Sequence, residues 1–171
     1  MLLIHPPVSK PSEPPPGVAL LAGALRERGV PCRVWDANME ALSHQLDEDG
    51  WVSEDQRVLR ARRHRHEHLS LLRSEAGYSN LDRYKRAVHD LNRIIEAGSL
   101  QGSMRAGLAN LTGDDLLPVR SADLIAAAEN PEKVPFHVYL RPRLLDIVAR
   151  EDPSIVGFSL NFMSQALSTF A

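Results

Sequence analysis

Six of the eleven residues from 6 to 16 are proline, and they follow directly on the apolar run Leu2-Leu3-Ile4. Proline fixes φ and removes a backbone donor, so a strand must end where the prolines begin. The same residues hold the following loop extended, near polyproline geometry, where a flexible linker would use glycine and serine. An apolar run without alternation is the pattern of a strand covered on both faces, which points to a parallel sheet.

A helix is predicted from Pro16 to Arg28. Pro16 suits a first helical turn, Val18, Leu21, Ala22 and Leu25 share one face, and Gly29 ends it. Cys32 to Trp35 reads as a second strand, closed by Asp36-Ala37-Asn38. Strand, stiff loop, helix and strand make a βαβ unit, expected to cross over right-handed.

From residue 40 to 135 the pattern is helical and reads as an insertion in the α/β domain. Ser53 with Gln56 has the form of a capping box, opening a helix to about Ser74. Ser79 or Asn80 caps another, whose Leu81, Tyr84, Val88, Leu91 and Ile95 form a stripe stopped by Gly98. The stretch from Gly98 to Gly113 is glycine-rich and expected to be loop, and Ser121 to Glu129 a short helix. The α/β pattern then returns. Leu144, Ile147 and Val148 mark a helix ending near Asp152-Pro153, and Ile155 to Leu160 is the strongest strand of the chain. Asn161 to Ser164 leaves it, and Gln165 to Ala171 begins a further helix.

Three strands leave an apolar strand with a bare side, which is an aggregation hazard. The expectation is therefore a fragment, residues 1–171 being part of a larger α/β domain, or an oligomer that covers the sheet edge. With 43% hydrophobic and 25% charged residues the chain reads as globular and cytoplasmic, and a net charge of -2 gives no reason to expect nucleic acid. The first residues lack a signal-peptide pattern, and no membrane span is expected. Cys32, the single cysteine, excludes an internal disulfide and is expected to be a small buried hydrophobe.

In an open parallel sheet, ligands bind beyond the carboxyl ends of the strands. The loop from His5 to Gly17, the segment Asp36-Ala37-Asn38 and the segment Ser159-Leu160-Asn161 would meet there. The helix start near Gly17 would add free N–H groups suited to an anionic group. Neither GxGxxG nor GxxxxGK[ST] occurs, so neither the usual dinucleotide fold nor an NTPase phosphate loop is expected. Asp36 is not read as a phospho-acceptor, because prolines stand where receiver domains carry an acidic cluster. His64 and His68 lie four apart in the basic run 57–68 without a third ligand at a fixed spacing, so a solvated helical face is preferred to zinc.

Leu2-Leu3-Ile4-His5-Pro6-Pro7, then Glu13-Pro14-Pro15-Pro16-Gly17-Val18-Ala19-Leu20-Leu21-Ala22, Leu25-Arg26-Glu27-Arg28-Gly29 and Val34-Trp35-Asp36-Ala37-Asn38 carry a resemblance. They resemble the start of radical SAM proteins with an N-terminal cobalamin-binding-type domain. Asp152-Pro153-Ser154-Ile155-Val156-Gly157-Phe158-Ser159 is similar to that family's PD-x-VG-x-S third-strand segment. The resemblance implies a flavodoxin-like parallel sheet, present here only as strands 2-1-3. It implies a C-terminal radical SAM domain, absent here, that would hold S-adenosylmethionine and an iron–sulfur cluster on CxxxCxxC. Many members methylate unreactive carbons through methylcobalamin, so an enzyme is implied for the parent and not for this piece. The DxHxxG motif that ligates cobalt is absent, so cobalamin would bind without a histidine. His5 stands at the right strand end, but its spacing does not mark it as a cobalt ligand. Pro6, Pro7, Glu13, Gly17, Asp36, Asn38, Ser159, Leu160 and Asn161 are the candidate cofactor contacts; Ser159 matches the serine lining the cobalamin tail groove, and Ser164 is a neighbour. No catalytic residue or metal ligand is assigned. The competing reading is a domain that has lost cobalamin and docks a protein partner through the helical insertion.

Overall fold

The computed structural model describes residues 1–171. Leu2–His5 (β1) is the middle strand of a three-stranded parallel sheet, flanked by Arg33–Asp36 (β2) and Val156–Phe158 (β5) in the order β2-β1-β5. Leu2 pairs with Arg33 on one side and Val156 on the other; Ile4 pairs with Trp35 and Phe158. The strands nearest each other in space are thus joined only by long crossovers, as parallel pairing requires. The outer strands are shifted or shorter than the sequence pattern suggests: β2 includes Asp36 in place of Cys32, and β5 is only the centre of the run 155–160.

Successive side chains of a strand face opposite ways, and β1 uses both faces. Leu2 and Ile4 pack with Trp35, Ala37 and Ile147 beneath His137–Glu151 (α8). Leu3 packs with Val18 and Ala22 of Pro16–Glu27 (α1) on the opposite face. Burying Leu2 and Ile4 stabilises the sheet by about 1.5–3 kcal/mol each. Gly157 makes room for this layer: a Cβ there would come within 3.1 Å of Leu3 Cδ2. Leu21 does not join the face expected of it and is 52% exposed, whereas Val18, Ala22 and Leu25 reach the sheet layer. Cys32 is half-buried rather than buried, because it lies just outside β2 at the rim of this layer.

The helical segment begins at Ala37, three residues earlier than its composition suggests. Asp36 ends β2 and at once accepts from the Met39 N–H, capping Ala37–Asp47 (α2). Gln56–Arg63 (α3), Arg65–Leu72 (α4), Glu75–Tyr78 (α5) and Leu81–Gly98 (α6) follow. Asp55, not Ser53, caps α3, and the single helix expected to Ser74 breaks at His64. Asn80 caps α6 through the Arg83 N–H, as expected. The glycine-rich stretch holds a small antiparallel hairpin, Arg105–Ala106 (β3) with Leu111–Thr112 (β4). Ser121–Glu129 (α7) has the bounds read from the sequence. After β5 a 3-10 turn at Met163–Gln165 leads into Ala166–Phe170 (α9), which packs on α7.

The largest core lies among these helices and not at the sheet. Ala41, Leu42 and Leu46 of α2 meet Leu91, Ile94 and Ile95 of α6, and Val8 of the proline loop is fully buried with them. The loop thereby ties the sheet to the helical segment. No helix is long and apolar enough to cross a membrane.

Candidate functional site

β1, β2 and β5 are parallel and adjacent, so their carboxyl ends and the segments leaving them gather at one end of the sheet. The residues there are held by a buried polar network centred on His5. Its Nε2 lies 2.8 Å from Ser9 Oγ, and Gln165 Nε2 lies 3.4 Å from its Nδ1. His5 is 2% exposed. Burial pushes its imidazole below the ordinary histidine value, against the pull of the Asp36 carboxylate and of the Ser159 backbone. A buried ring engaged at both nitrogens has neither access nor a free lone pair for an external ligand.

The proline loop is fastened on both sides. Asn38 accepts from the Ser9 N–H and donates to the Ser9 carbonyl, both at 3.0 Å. Gln165 donates to the Pro6 carbonyl at 2.7 Å, and Ser164 donates to the Val8 carbonyl at 2.7 Å. The Gln165 side-chain oxygen also accepts from the Asn161 and Phe162 N–H groups, which fixes the exit from β5. Buried polar groups are stable only when paired in this way.

The candidate contacts divide accordingly. Gly17, Ser159 and Asn161 come together: a Cβ on Gly17 would stand 3.4 Å from Asn161 Oδ1 and 3.6 Å from Ser159 Oγ. Pro15 gives α1 no side-chain cap, so its first-turn N–H groups stay available beside them. Pro6 and Pro7 are buried and line a cleft on the α8 side of the sheet. Leu160 is exposed on the edge strand's exit. Asp36 and Asn38 are occupied by the α2 cap and the Ser9 clamp. Glu13 is exposed and pairs with Lys10 at 3.1 Å.

Ser9 and Gln165 hold the network, and sequence reasoning singled out neither. Ser9 stands among prolines that draw attention to backbone shape. Gln165 reaches His5 across 160 residues, a contact without a local sequence signal. In the basic run, His64 pairs with Glu67 at 3.0 Å and His68 with Asp90 at 3.1 Å. No three His, Cys, Asp or Glu side chains converge on a point that would hold a metal.

The cleft beneath α8 has a volume of about 270 Å³. Its walls are Ile4 and Trp35 from the sheet, Leu144 from α8 and Phe158 from β5, with His137, Arg141 and Ser168 among the polar residues. Burial and the Arg141 charge hold His137 below the ordinary histidine value, against the pull of Glu132. No protein-family model matches this chain, and neither a curated protein nor a solved structure matches it.

Proposed function

We propose that the chain is part of a flavodoxin-like domain of the cobalamin-binding type, serving a radical SAM enzyme as its cofactor-binding module. The observation that carries this is the meeting of Gly17, Ser159 and Asn161 at the carboxyl ends of parallel strands ordered β2-β1-β5. An uncapped helix start beside two polar side chains suits an anionic or hydrogen-bonding tail. The resemblance of residues 2–38 and 152–159 to radical SAM proteins supplies the cofactor class.

The residues present fit cobalamin only without protein ligation of cobalt, because His5 is buried and engaged at both ring nitrogens. Gly17, Ser159 and Asn161 would receive the polar tail, and Leu160 would offer apolar contact at its edge. When bound, cobalamin would supply methyl transfer; this chain's part is to hold and orient it. S-adenosylmethionine and the iron–sulfur cluster would belong to a separate radical SAM domain. Neither a nucleic acid nor a membrane partner enters this proposal.

A second reading, a domain docking a protein partner without cobalamin, draws on the bare edge of β5. Val156 is 39% and Phe158 44% exposed there, flanked by exposed Ile155, Leu160 and Phe162. Further strands of the same domain would cover that edge equally well.

The test is hydroxocobalamin mixed with the full-length gene product and followed by visible absorption after desalting. Retained colour that Gly17→Val and Ser159→Trp both abolish is the expected result. A colourless protein, or a parent gene without CxxxCxxC, would refute the proposal.

A further inference from the structure

We propose that the cleft between α8 and the ends of β1 and β5 is a binding site for a small amphipathic carboxylate, distinct from the Gly17–Ser159–Asn161 cradle. Such a ligand has an apolar body and one anionic head. Nine of the sixteen residues lining the cleft are hydrophobic, so a purely ionic ligand would leave most of the wall unused. At about 270 Å³ the space is below the usual range for drug-sized ligands and suits a ring or short chain.

The polar groups set the sign of the head. Arg141 is the one side chain of fixed charge in the lining, and no carboxylate side chain lines the cleft. On the same helix Arg143 pairs with Glu40 and Arg150 with Asp146, whereas Arg141 makes no ion pair. Ser168 Oγ is buried and has no hydrogen-bond partner, which is costly unless an acceptor reaches it. His137 adds a further donor or acceptor, with its proton affinity lowered by burial and by the Arg141 charge. An acceptor-rich anion satisfies Arg141 and Ser168 together, and a carboxylate is the smallest such group on an apolar body. Trp35 and Leu144 would flank that body.

The probe is phenylacetate, titrated into the full-length gene product with amide chemical shifts of residues 134–145 and 168–171 as the readout. Acetate and 2-phenylethanol are the comparison arms, lacking the apolar body and the charge respectively. Saturable shifts with phenylacetate are expected, binding roughly tenfold tighter than 2-phenylethanol, with no saturation by acetate. Arg141→Gln, a change at an exposed position that leaves the fold intact, should bring phenylacetate down to the level of 2-phenylethanol. Ser168→Ala should also weaken phenylacetate while leaving 2-phenylethanol less affected. Equal binding of the charged and neutral probes, an Arg141→Gln protein that binds as well as the parent, or no saturable shift up to about 10 mM would each overturn the site. Neither result depends on cobalamin, so failure here leaves the cradle proposal standing, and the converse holds.

Discussion

His5 and Ser9 are joined side chain to side chain at 2.8 Å, with the buried prolines Pro6 and Pro7 between them. That bond turns a stretch of polyproline character back on the strand it leaves. It makes the loop part of the sheet's polar end and sends Val8 into the helical core.

The first prediction concerns pH. Burial lowers the folded-state pKa of His5 from 6.5, so the unfolded chain takes up the proton first as pH falls. The stability contributed by neutral His5 is complete above pH 6.5 and is lost as pH drops from there toward the folded value. Urea midpoints measured between about pH 7.5 and about pH 5 should fall across this window. His5→Gln should flatten that slope, leaving only what His137, shifted in the same direction, contributes. An undiminished slope in the variant would rule out His5 as the source.

Asn38→Ala should destabilise the chain by about 2–4 kcal/mol, because the Ser9 N–H and carbonyl both lose a buried partner. Urea unfolding monitored by circular dichroism measures this. Asn38→Asp keeps an acceptor for the N–H but sets a buried carboxylate oxygen against the Ser9 carbonyl, so it should not recover the stability lost in the alanine variant at neutral pH.

Glu40 accepts from Trp35 Nε1 at 2.8 Å, Tyr139 OH at 3.0 Å and Arg143 Nε at 2.6 Å, locking α2 to α8. Burial opposes its ionisation, but these three donors outweigh burial and bring its carboxyl below the ordinary value of 4.5. Its contribution is therefore present above pH 4.5 and disappears as pH falls through the folded value. Glu40→Ala should cost about 1–3 kcal/mol at neutral pH and much less in strong acid. A pH-independent difference between variant and parent would contradict this account.

Gly98→Ala tests the helical core. A Cβ there would run into Gln45 Nε2 and lie 2.6 Å from the Trp51 ring, so the Gln45 amide would have to swing aside and the Trp51 ring be displaced. Overpacking of this kind costs about 1–3 kcal/mol. The variant should show a lower thermal midpoint and a shifted Trp51 emission, with the amide shifts of β1 and β5 unchanged.

The α/β class and the middle strand were legible because burial of Leu2–His5 on both faces selects an apolar run with no alternation, and the outer strands because β-branched and aromatic residues mark them, although neither is buried on both faces. The start of α1, its end at Gly29, the Asn80 cap and the bounds of α7 were legible for the same kind of reason: each is set by residues within a few positions. The break at His64 was not, because the residues on either side of it all suit a helix, and α3 and α4 pack separately onto α6. The site was legible only in outline. Gly17, Ser159 and Asn161 meet as the strand ends imply, but Asp36 and Asn38, which suit a polar mouth by type, are consumed locally by a helix cap and a loop clamp.

Leu2–Ile4 and the apolar run around Val156–Phe158 determined by chemistry alone that strands form there, and the prolines after His5 where the first one stops, since backbone freedom and side-chain chemistry act residue by residue; the ends of the outer strands were set by pairing with β1. Which groups remain free to bind something was decided only in three dimensions. A hydrogen bond from Gln165 to Pro6, or a cleft that brings Arg141 and Phe158 into one lining, depends on segments far apart in the chain arriving at one place. Their distance and angle come from packing the whole chain, and no local pattern encodes them.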